Sequence, residues 1–225
     1  LRNYAMAASR WRSSLAAAAV VVVAIAAVRS IPEPERTRAA LFPSGEFGEF
    51  FSVAAEHGPF NKFKRVRGAD ETGGARMEFH EAHTGDCGGG DAAGCAASSC
   101  APPMHIHTRQ NETFRVLSGR FQYVVDGAIT VVDDIGATAV VPAGAKHTFC
   151  RAPGMAPNET LVVSFALEPA LDTEHYFATM IGLFQDSAMR PDPIHLVFLV
   201  CAYDMRLADI PRPLHEAMCL SPRPH

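Results

Sequence analysis

Two short segments with the ligand types of a metal site constrain this chain most strongly. In segment 102–119, His105, His107 and Glu112 follow the order H-x-H-x4-E, and a glycine ends the segment after six further residues. Side chains alternate between the two faces of a strand, so His105 and His107 point the same way. Segment 136–147 reads G-x5-P-x-G-x2-H and ends in a third imidazole, that of His147. Three histidines and one glutamate predict one metal centre on neighbouring strands.

This pair of segments resembles the two motifs of the cupin superfamily, and specifically the small single-domain cupins of the quercetinase-like group. Their first motif is written G-x5-H-x-H-x3 or 4-E-x6-G and their second G-x5-P-x-G-x2-H-x3-N. The chain departs from them twice, because Ser99 replaces the opening glycine and Arg151 replaces the closing asparagine. Neither departure removes a ligand. The resemblance implies an all-β core folded as a double-stranded β-helix, the jelly-roll barrel of cupins.

Composition allows one such domain with extensions and argues against one class of partner. The chain has 225 residues, of which 48% are hydrophobic and 20% charged, which is ordinary for a globular protein. Its net charge is -4 and its pI is about 6.2. Because nucleic-acid binding needs a basic surface, we expect no nucleic-acid partner.

Residues 1–30 are interpreted as a signal peptide or a membrane anchor. Two arginines precede a run of small and apolar residues at 13–28, which would span about 24 Å as a helix. A bilayer core needs roughly 20 residues, so a cleaved secretory signal fits this length better than a transmembrane anchor. The leader is also rich in arginine, alanine and serine and has no acidic residue before Glu33, as in organelle transit peptides. We therefore expect the secretory pathway or membrane anchoring, with organelle targeting as the alternative.

A linker and N-terminal arm is expected at 31–59 and the barrel at 60–168. Two prolines and alternating charges at 31–38 discourage regular structure. The phenylalanines of 42–63 fit either a lid on the barrel mouth or core that plugs the open end of the sheet. The first barrel strands are predicted at 61–66 and 75–82. We interpret His80 and His83 as surface residues, since neither belongs to the motif.

Segment 84–101 is an insertion of low complexity directly before the first metal motif. It is rich in glycine, alanine and serine and contains Cys87, Cys95 and Cys100. Its cysteine spacing matches no zinc pattern, so we predict a disordered loop. In an oxidising compartment two of these cysteines could form a disulfide, and the loop could control access to the pocket.

Strand parity nominates three pocket residues. Turn signals recur from Glu112 onward, including the hairpin dipeptide Asp126-Gly127. Phe114 follows Glu112 with the parity of the metal ligands, so we expect it to line the pocket. Phe149 and Arg151 follow His147 in the same way. Arg151 would either present its guanidinium to an anionic substrate or lie exposed on the barrel rim.

The tail, 169–225, is predicted to be a helical extension. Apolar residues recur at helical spacing over 172–186 and again over 192–209, behind Pro191 and Pro193. The segment also resembles the extension that follows the barrel in one group of small cupins. We expect these helices to pack on the sheet or on a second subunit of a homodimer, with Cys201 and Cys219 in the core.

The resemblance implies that His105, His107, Glu112 and His147 hold one divalent transition metal. Imidazole and carboxylate ligands suit iron, manganese, nickel, copper or zinc alike. Imidazoles bind metal only when unprotonated, so metal binding should fail on acidification through about pH 6. The expected function is a metal-dependent dioxygenase acting on a small organic substrate, with Glu112 as ligand and proton acceptor. The alternative is a non-catalytic metal-containing cupin that binds a small molecule or has a structural role.

Overall fold

The computed structural model describes residues 51–52, 60–84, 94–95, 98, 100–186 and 192–219. The expected leader at 1–30 and nearly all of the arm at 31–59 lie outside these residues, so the signal, anchor and transit-peptide hypotheses remain predictions. Within the described part of the chain, no helix combines the length and the apolar character that crossing a membrane requires.

The described residues form two antiparallel sheets. The first contains, in spatial order, β1 (Phe51–Ser52), β2 (Phe60–Arg67), β3 (Met77–Thr84), β10 (Leu161–Glu168), β5 (Asn111–Ser118) and β8 (Thr138–Val141). The second contains β11 (Met205–Leu207), β4 (His105–His107), β9 (His147–Arg151), β6 (Phe121–Val125) and β7 (Ala128–Val132). A single 3-10 turn, Asp70–Thr72, lies between β2 and β3. The predicted strands at 61–66 and 75–82 correspond to β2 and β3.

The inner faces of the two sheets pack on each other through aromatic side chains. Phe79 and Phe165 stack at 5.7 Å between ring centroids within the first sheet. Phe114 of the first sheet lies 5.1 Å from Phe121 of the second and 4.8 Å from Phe149. All five rings are buried. The predicted all-β core with the double-stranded β-helix architecture is thus confirmed.

Alternation along β5 explains why this strand carries both a metal ligand and core residues. Glu112, Phe114 and Val116 are buried, whereas Arg115 between them is exposed. Directly after the strand comes Gly119, whose φ is +77° and whose missing Cβ would approach the carbonyl oxygen of Thr160 to 2.8 Å. A side chain there would be strained and would collide with backbone, which accounts for the glycine that closes the first motif.

The described residues of the C-terminal extension form three helices and one strand. Helix α1 (Thr173–Asp186) confirms the helix expected at 172–186. The continuous helix expected at 192–209 is wrong in its second half, because α2 (Pro193–Ala202) ends before Asp204, which has a φ of +49°. The chain then runs antiparallel to β4 as β11, and α3 (Arg212–Cys219) follows this strand. Pairing with β4 outweighs helix propensity here, because it gives hydrogen-bond partners to the backbone groups of β4 and β11.

Disulfides tie both the insertion and the tail to the fold. Cys95 is bonded to Cys150 on β9, and Cys201 at the end of α2 is bonded to Cys219 of α3. Cys100 is disulfide-bonded as well. Disorder is therefore the wrong expectation for the described residues of 84–101, since Cys95 and Cys100 are buried. Cys201 and Cys219, expected as buried core, are half-buried and bridged.

Candidate metal centre

Strands from both sheets bring the predicted ligands together. His105 and His107 lie on β4, and His147 lies on the adjacent β9, where its backbone is directly opposite His105. Glu112 comes from β5 in the facing sheet. One ligand atom from each of the four residues lies within 4.8 Å of the others, and all four side chains are buried. The centre therefore bridges the two sheets, with three imidazoles on one side and the carboxylate on the other.

Hydrogen bonds leave the Nε2 atoms of two imidazoles facing this centre. The Nδ1 of His105 donates to the carbonyl oxygen of Pro103 at 2.8 Å, and that of His147 donates to Ala145 at 3.0 Å. The Nε2 of His147 also shares a hydrogen bond with Glu112 Oε2 at 2.8 Å, so in the metal-free site one proton lies between these two ligands. A cation at this position would replace that proton, and the backbone bonds would hold the rings in place. The residues present thus fit a divalent transition metal.

Burial and neighbouring charges set the pKa values of the ligands. Burial, reinforced by the imidazoles of His147 and His107, lowers the pKa of His105 to about 3. Burial also lowers the pKa of His107. For His147 burial acts in the same direction, but the hydrogen bond to Glu112 and its charge outweigh it and raise the pKa. Burial acts to raise the pKa of Glu112, while the His147 bond and the nearby imidazoles lower it overall. Neutral imidazoles beside an ionised carboxylate are the forms that bind metal.

Residues between the ligands brace the β4–β5 connection, and the sequence reasoning missed them. Gln110 is buried, and its Nε2 donates to the Pro169 carbonyl at 2.8 Å and to Thr173 Oγ1 at 2.8 Å. It thereby joins the ligand-bearing turn to the start of α1. Asn111 Oδ1 accepts a hydrogen bond from the backbone N–H of Ala143 at 2.9 Å. Their only sequence signal is that polar residues fill the variable positions of the motif between two ligands.

The second motif forms a tight turn that closes on β4. The N–H of Gly144 donates to the carbonyl oxygen of His107 at 2.8 Å, and Gly144 has a φ of +87°. A residue with a side chain rarely adopts this conformation, which explains the glycine three residues before His147. Asp204, at the start of the path into β11, accepts from Arg109 Nε at 2.9 Å. The loops on both sides of the ligands are therefore fixed.

The metal centre opens into an apolar cavity of about 310 Å³. His105, His107 and Glu112 contribute to its wall. The remaining wall is mostly apolar and comes from the barrel (Phe63, Phe149, Phe165), loop 100–103, α1 (Tyr176, Phe177, Met180, Phe184), α2 (Leu196, Leu199, Val200) and β11 (Met205, Leu207). Aromatic and aliphatic walls with a few polar groups are typical of small-molecule sites. Phe63, from the phenylalanine-rich segment, is both core and cavity wall.

The three residues nominated for the pocket have different places. Phe149 lines the cavity. Phe114 lies behind it in the core, in contact with the Phe149 ring. Arg151 is only 2% exposed, so the expectation of an exposed rim arginine is wrong. Its Nη2 donates to the Ala156 carbonyl, and its side chain is not part of the cavity wall.

Strand β3 contributes a buried polar pair, of which the sequence analysis placed one member, His83, wrongly. His83 is 0% exposed, which contradicts its interpretation as a surface residue, and it is bonded to buried Glu81. His80, on the other face, is half-buried. Glu81 and His83 both share the strand parity of Met77 and Phe79, which are buried. Strand parity alone was therefore sufficient to predict that these two residues face the core.

Comparisons with known proteins identify the domain. Residues 96–164 match the family model described as Cupin domain. The chain is 27% identical over 109 residues to Oxidoreductase iacF of Pestalotiopsis fici, covering 45% of this chain and 52% of that protein. It therefore spans about half the length of this curated relative.

Solved structures with similarity to the chain have low sequence identity. KdgF from Halomonas sp. has a TM-score of 0.39 at 16% identity, covering 56% of this chain and 93% of that one. A predicted oxalate decarboxylase from Thermotoga maritima has a TM-score of 0.40 at 13% identity, covering 53% of this chain and 91% of that one. The polyketide cyclase RemF from Streptomyces resistomycificus has a TM-score of 0.38 at 15% identity, covering 55% of this chain and 76% of that one.

The match to the family model and the site coincide. All four candidate ligands lie within the matched residues, and the two sheets of the fold position them around one centre. Residues 96–164 of this chain thus form a cupin domain.

Proposed function

We propose that this protein is a metal-dependent oxidoreductase that acts, in the manner of a dioxygenase, on a small apolar organic molecule. The observation that carries the proposal is that the metal centre forms part of the wall of an apolar cavity. A molecule in this cavity would lie directly against the ligands. The name of the Pestalotiopsis fici relative, an oxidoreductase, supports the reaction class.

The donor set defines the cofactor class. Three imidazoles and one carboxylate suit iron, manganese, nickel, copper or zinc. When bound, such an ion would supply Lewis-acid and, except for zinc, redox chemistry. We keep one ion per chain and a homodimer as predictions.

The residues of this chain would bind and orient the substrate and handle its proton. The aromatic wall from Phe149, Phe165 and Phe177 would exclude water and hold a flat apolar molecule. Glu112 already exchanges a hydrogen bond with His147 at 2.8 Å and borders the cavity. Its carboxylate is therefore placed to take a proton from a bound molecule.

Metal analysis combined with oxygen uptake tests the proposal. Purified protein and a His105→Ala/His147→Ala double variant would be analysed for transition metals and for oxygen consumption with phenolic and diketone substrates. His175→Ala, on the exposed side of α1, is the matched control. We expect near-stoichiometric metal and metal-dependent oxygen uptake in the wild type and the control, and neither in the double variant.

Two results would contradict the proposal in different ways. Stoichiometric metal without turnover would favour the non-catalytic alternative, a cupin that binds a small molecule or has a structural role. A folded wild type that takes up none of the five metals would remove the metal centre as well.

A further inference from the structure

The cavity has a second polar point, formed by Glu81 and His83 on β3. Glu81 is 3% exposed and lines the cavity, and His83 is 0% exposed. The Nε2 of His83 donates to Glu81 Oε1 at 3.0 Å. Burying a carboxylate and an imidazole costs free energy that an apolar pair at these positions would not. The metal centre does not use either residue.

This pair is separate from the metal ligands. In the sheet, Glu112 lies opposite Leu167 and Leu167 opposite Met77, whereas Glu81 is four residues further along β3. A strand rises about 3.3 Å per residue, so the backbones of the two glutamates are offset by about 13 Å along the strand direction. The apolar cavity therefore has polar groups at two separated places.

His83 holds the Glu81 carboxylate in position. Its ring packs against Phe149, with 5.9 Å between centroids, and Phe149 itself lines the cavity. Among the described residues the Nδ1 of His83 has no hydrogen-bond partner, so its proton belongs on Nε2, towards Glu81. A carboxylate offers about four acceptor positions, so Glu81 can accept from a ligand while it keeps its bonds within the protein.

The surroundings of Glu81 define what it would bind. Phe63 lies directly opposite Glu81 in the β2–β3 pairing and also borders the cavity. Phe63 contacts Phe165 at 6.4 Å and Phe177 at 5.5 Å between ring centroids. All three rings line the cavity, so a flat apolar molecule in it would contact them, and a hydrogen-bond donor on that molecule would be stabilised by the carboxylate.

We propose that Glu81 is a specificity residue that accepts a hydrogen bond from a hydroxyl group on an aromatic ligand of this cavity. His83 acts as its positioning residue. The inference rests on the proposed function in that it names the substrate class of the same cavity, hydroxylated aromatic molecules. Recognition at Glu81 does not itself require the metal.

Two probes that differ by one methyl group test this assignment. 2-Naphthol can donate a hydrogen bond, whereas 2-methoxynaphthalene cannot. Calorimetric titrations of the full chain, with metal and after chelation, would give the affinity ratio of the two probes. We expect the wild type to prefer 2-naphthol about tenfold, as for one hydrogen bond to a carboxylate. The preference should survive metal removal.

Variants of β3 complete the test. Glu81→Met should abolish the preference. Glu81→Gln, which keeps the shape and one acceptor oxygen, should leave an intermediate affinity ratio, and it carries the test if Glu81→Met fails to fold. Glu78→Gln is the matched control, because Glu78 lies on the other face of β3 beside Arg76 at 3.4 Å. His83→Phe should reduce the preference less than Glu81→Met.

Three outcomes would overturn the assignment. They are a preference unchanged in both Glu81 variants, a preference lost on chelation alone, and no binding of either probe to the wild type. A preference for 2-naphthol in a protein without oxygen uptake would leave the recognition by Glu81 intact and count only against the oxidoreductase proposal.

Discussion

His105 shows how burial prepares a side chain for metal binding. The chain places its imidazole in the interior beside two others, and burial lowers its pKa to about 3. The ring is therefore neutral at neutral pH and ready to ligate. Because the buried ring stays neutral, acidification should lower the stability of the metal-free protein through this residue.

We predict that the metal-free protein loses stability as the pH falls from 6.5 to about 4.5. In this window the unfolded chain binds a proton at His105 and the folded chain does not, so the free energy of unfolding falls by up to about 1.4 kcal/mol per pH unit. His107, with its lowered pKa, adds to the effect. Glu112 adds to the loss only at lower pH, because its pKa is depressed from 4.5. Urea denaturation of chelated protein measures the slope.

The control for this prediction is His105→Gln, whose slope should be smaller. If the free energy of unfolding depended equally on pH in the two proteins, His105 would bind protons equally in the folded and the unfolded state. That result would contradict the effect of burial.

At the scale of single residues, the sequence was sufficient to predict the positions of the four ligands, but not those of some neighbouring side chains. The spacing of His105, His107, Glu112 and His147 follows strand parity, and the structure places them around one centre. Arg151 could not be placed because its environment depends on the loop that contains Ala156. His83 could have been placed, since it shares the parity of Phe79, but its polarity suggested the surface.

At the scale of elements, β11 is the feature that helical periodicity concealed. Met205, Arg206 and Leu207 lie opposite His107, Ile106 and His105, respectively. By contrast, β4 pairs with β9 at a single position, His105 with His147. The tail thus contributes most of the pairing of the strand that carries two ligands. Such a long-range pairing cannot be predicted from local sequence.

Two truncated chains test the role of β11. A chain that ends at Ala202 lacks the strand, whereas one that ends at Ala208 keeps it and its last bond, from the Ala208 N–H to Met104 at 2.9 Å. Both lack α3 and the Cys201–Cys219 disulfide. We expect the shorter chain to bind metal about tenfold more weakly than the longer one, because support of ligands is typically worth that much.

Competition with a chelator measures the two metal affinities. Equal affinities in the two truncated chains would show that β4 holds its ligands without β11.

At the scale of the whole molecule, α1 joins the barrel to the helical extension. Phe177 of α1 lies between the two parts, with ring centroids 5.2 Å from Phe79 and 5.3 Å from Phe165 in the barrel. It also lies 5.2 Å from Tyr176, which packs with Leu199 and Val200 of α2. The sequence indicated this helix and its apolar residues, but it did not show that the helix would form a wall of the cavity.

We predict that Phe177→Ala destabilises the protein by about 3 kcal/mol, as expected for removing a large aromatic ring from a packed site. It should also weaken the binding of aromatic probes, since Phe177 lines the cavity. Thermal and urea unfolding measure the first effect. His175→Ala, exposed on the same helix, should change the stability by less than about 0.5 kcal/mol. Similar losses in both variants would indicate a general effect on the helix rather than loss of packing.

The pairing of β11 with β4 sets an order of events during synthesis. On the ribosome the strand with His105 and His107 emerges long before its partner at 205–207. Translation adds about 5 to 20 residues per second, so the delay is on the order of 5 to 20 seconds. During this time the nascent histidine strand lacks one neighbour and the future cavity lacks its helical walls. A metal ion that needs ligands supported by β11 would therefore be bound only after residues 205–207 have been synthesised.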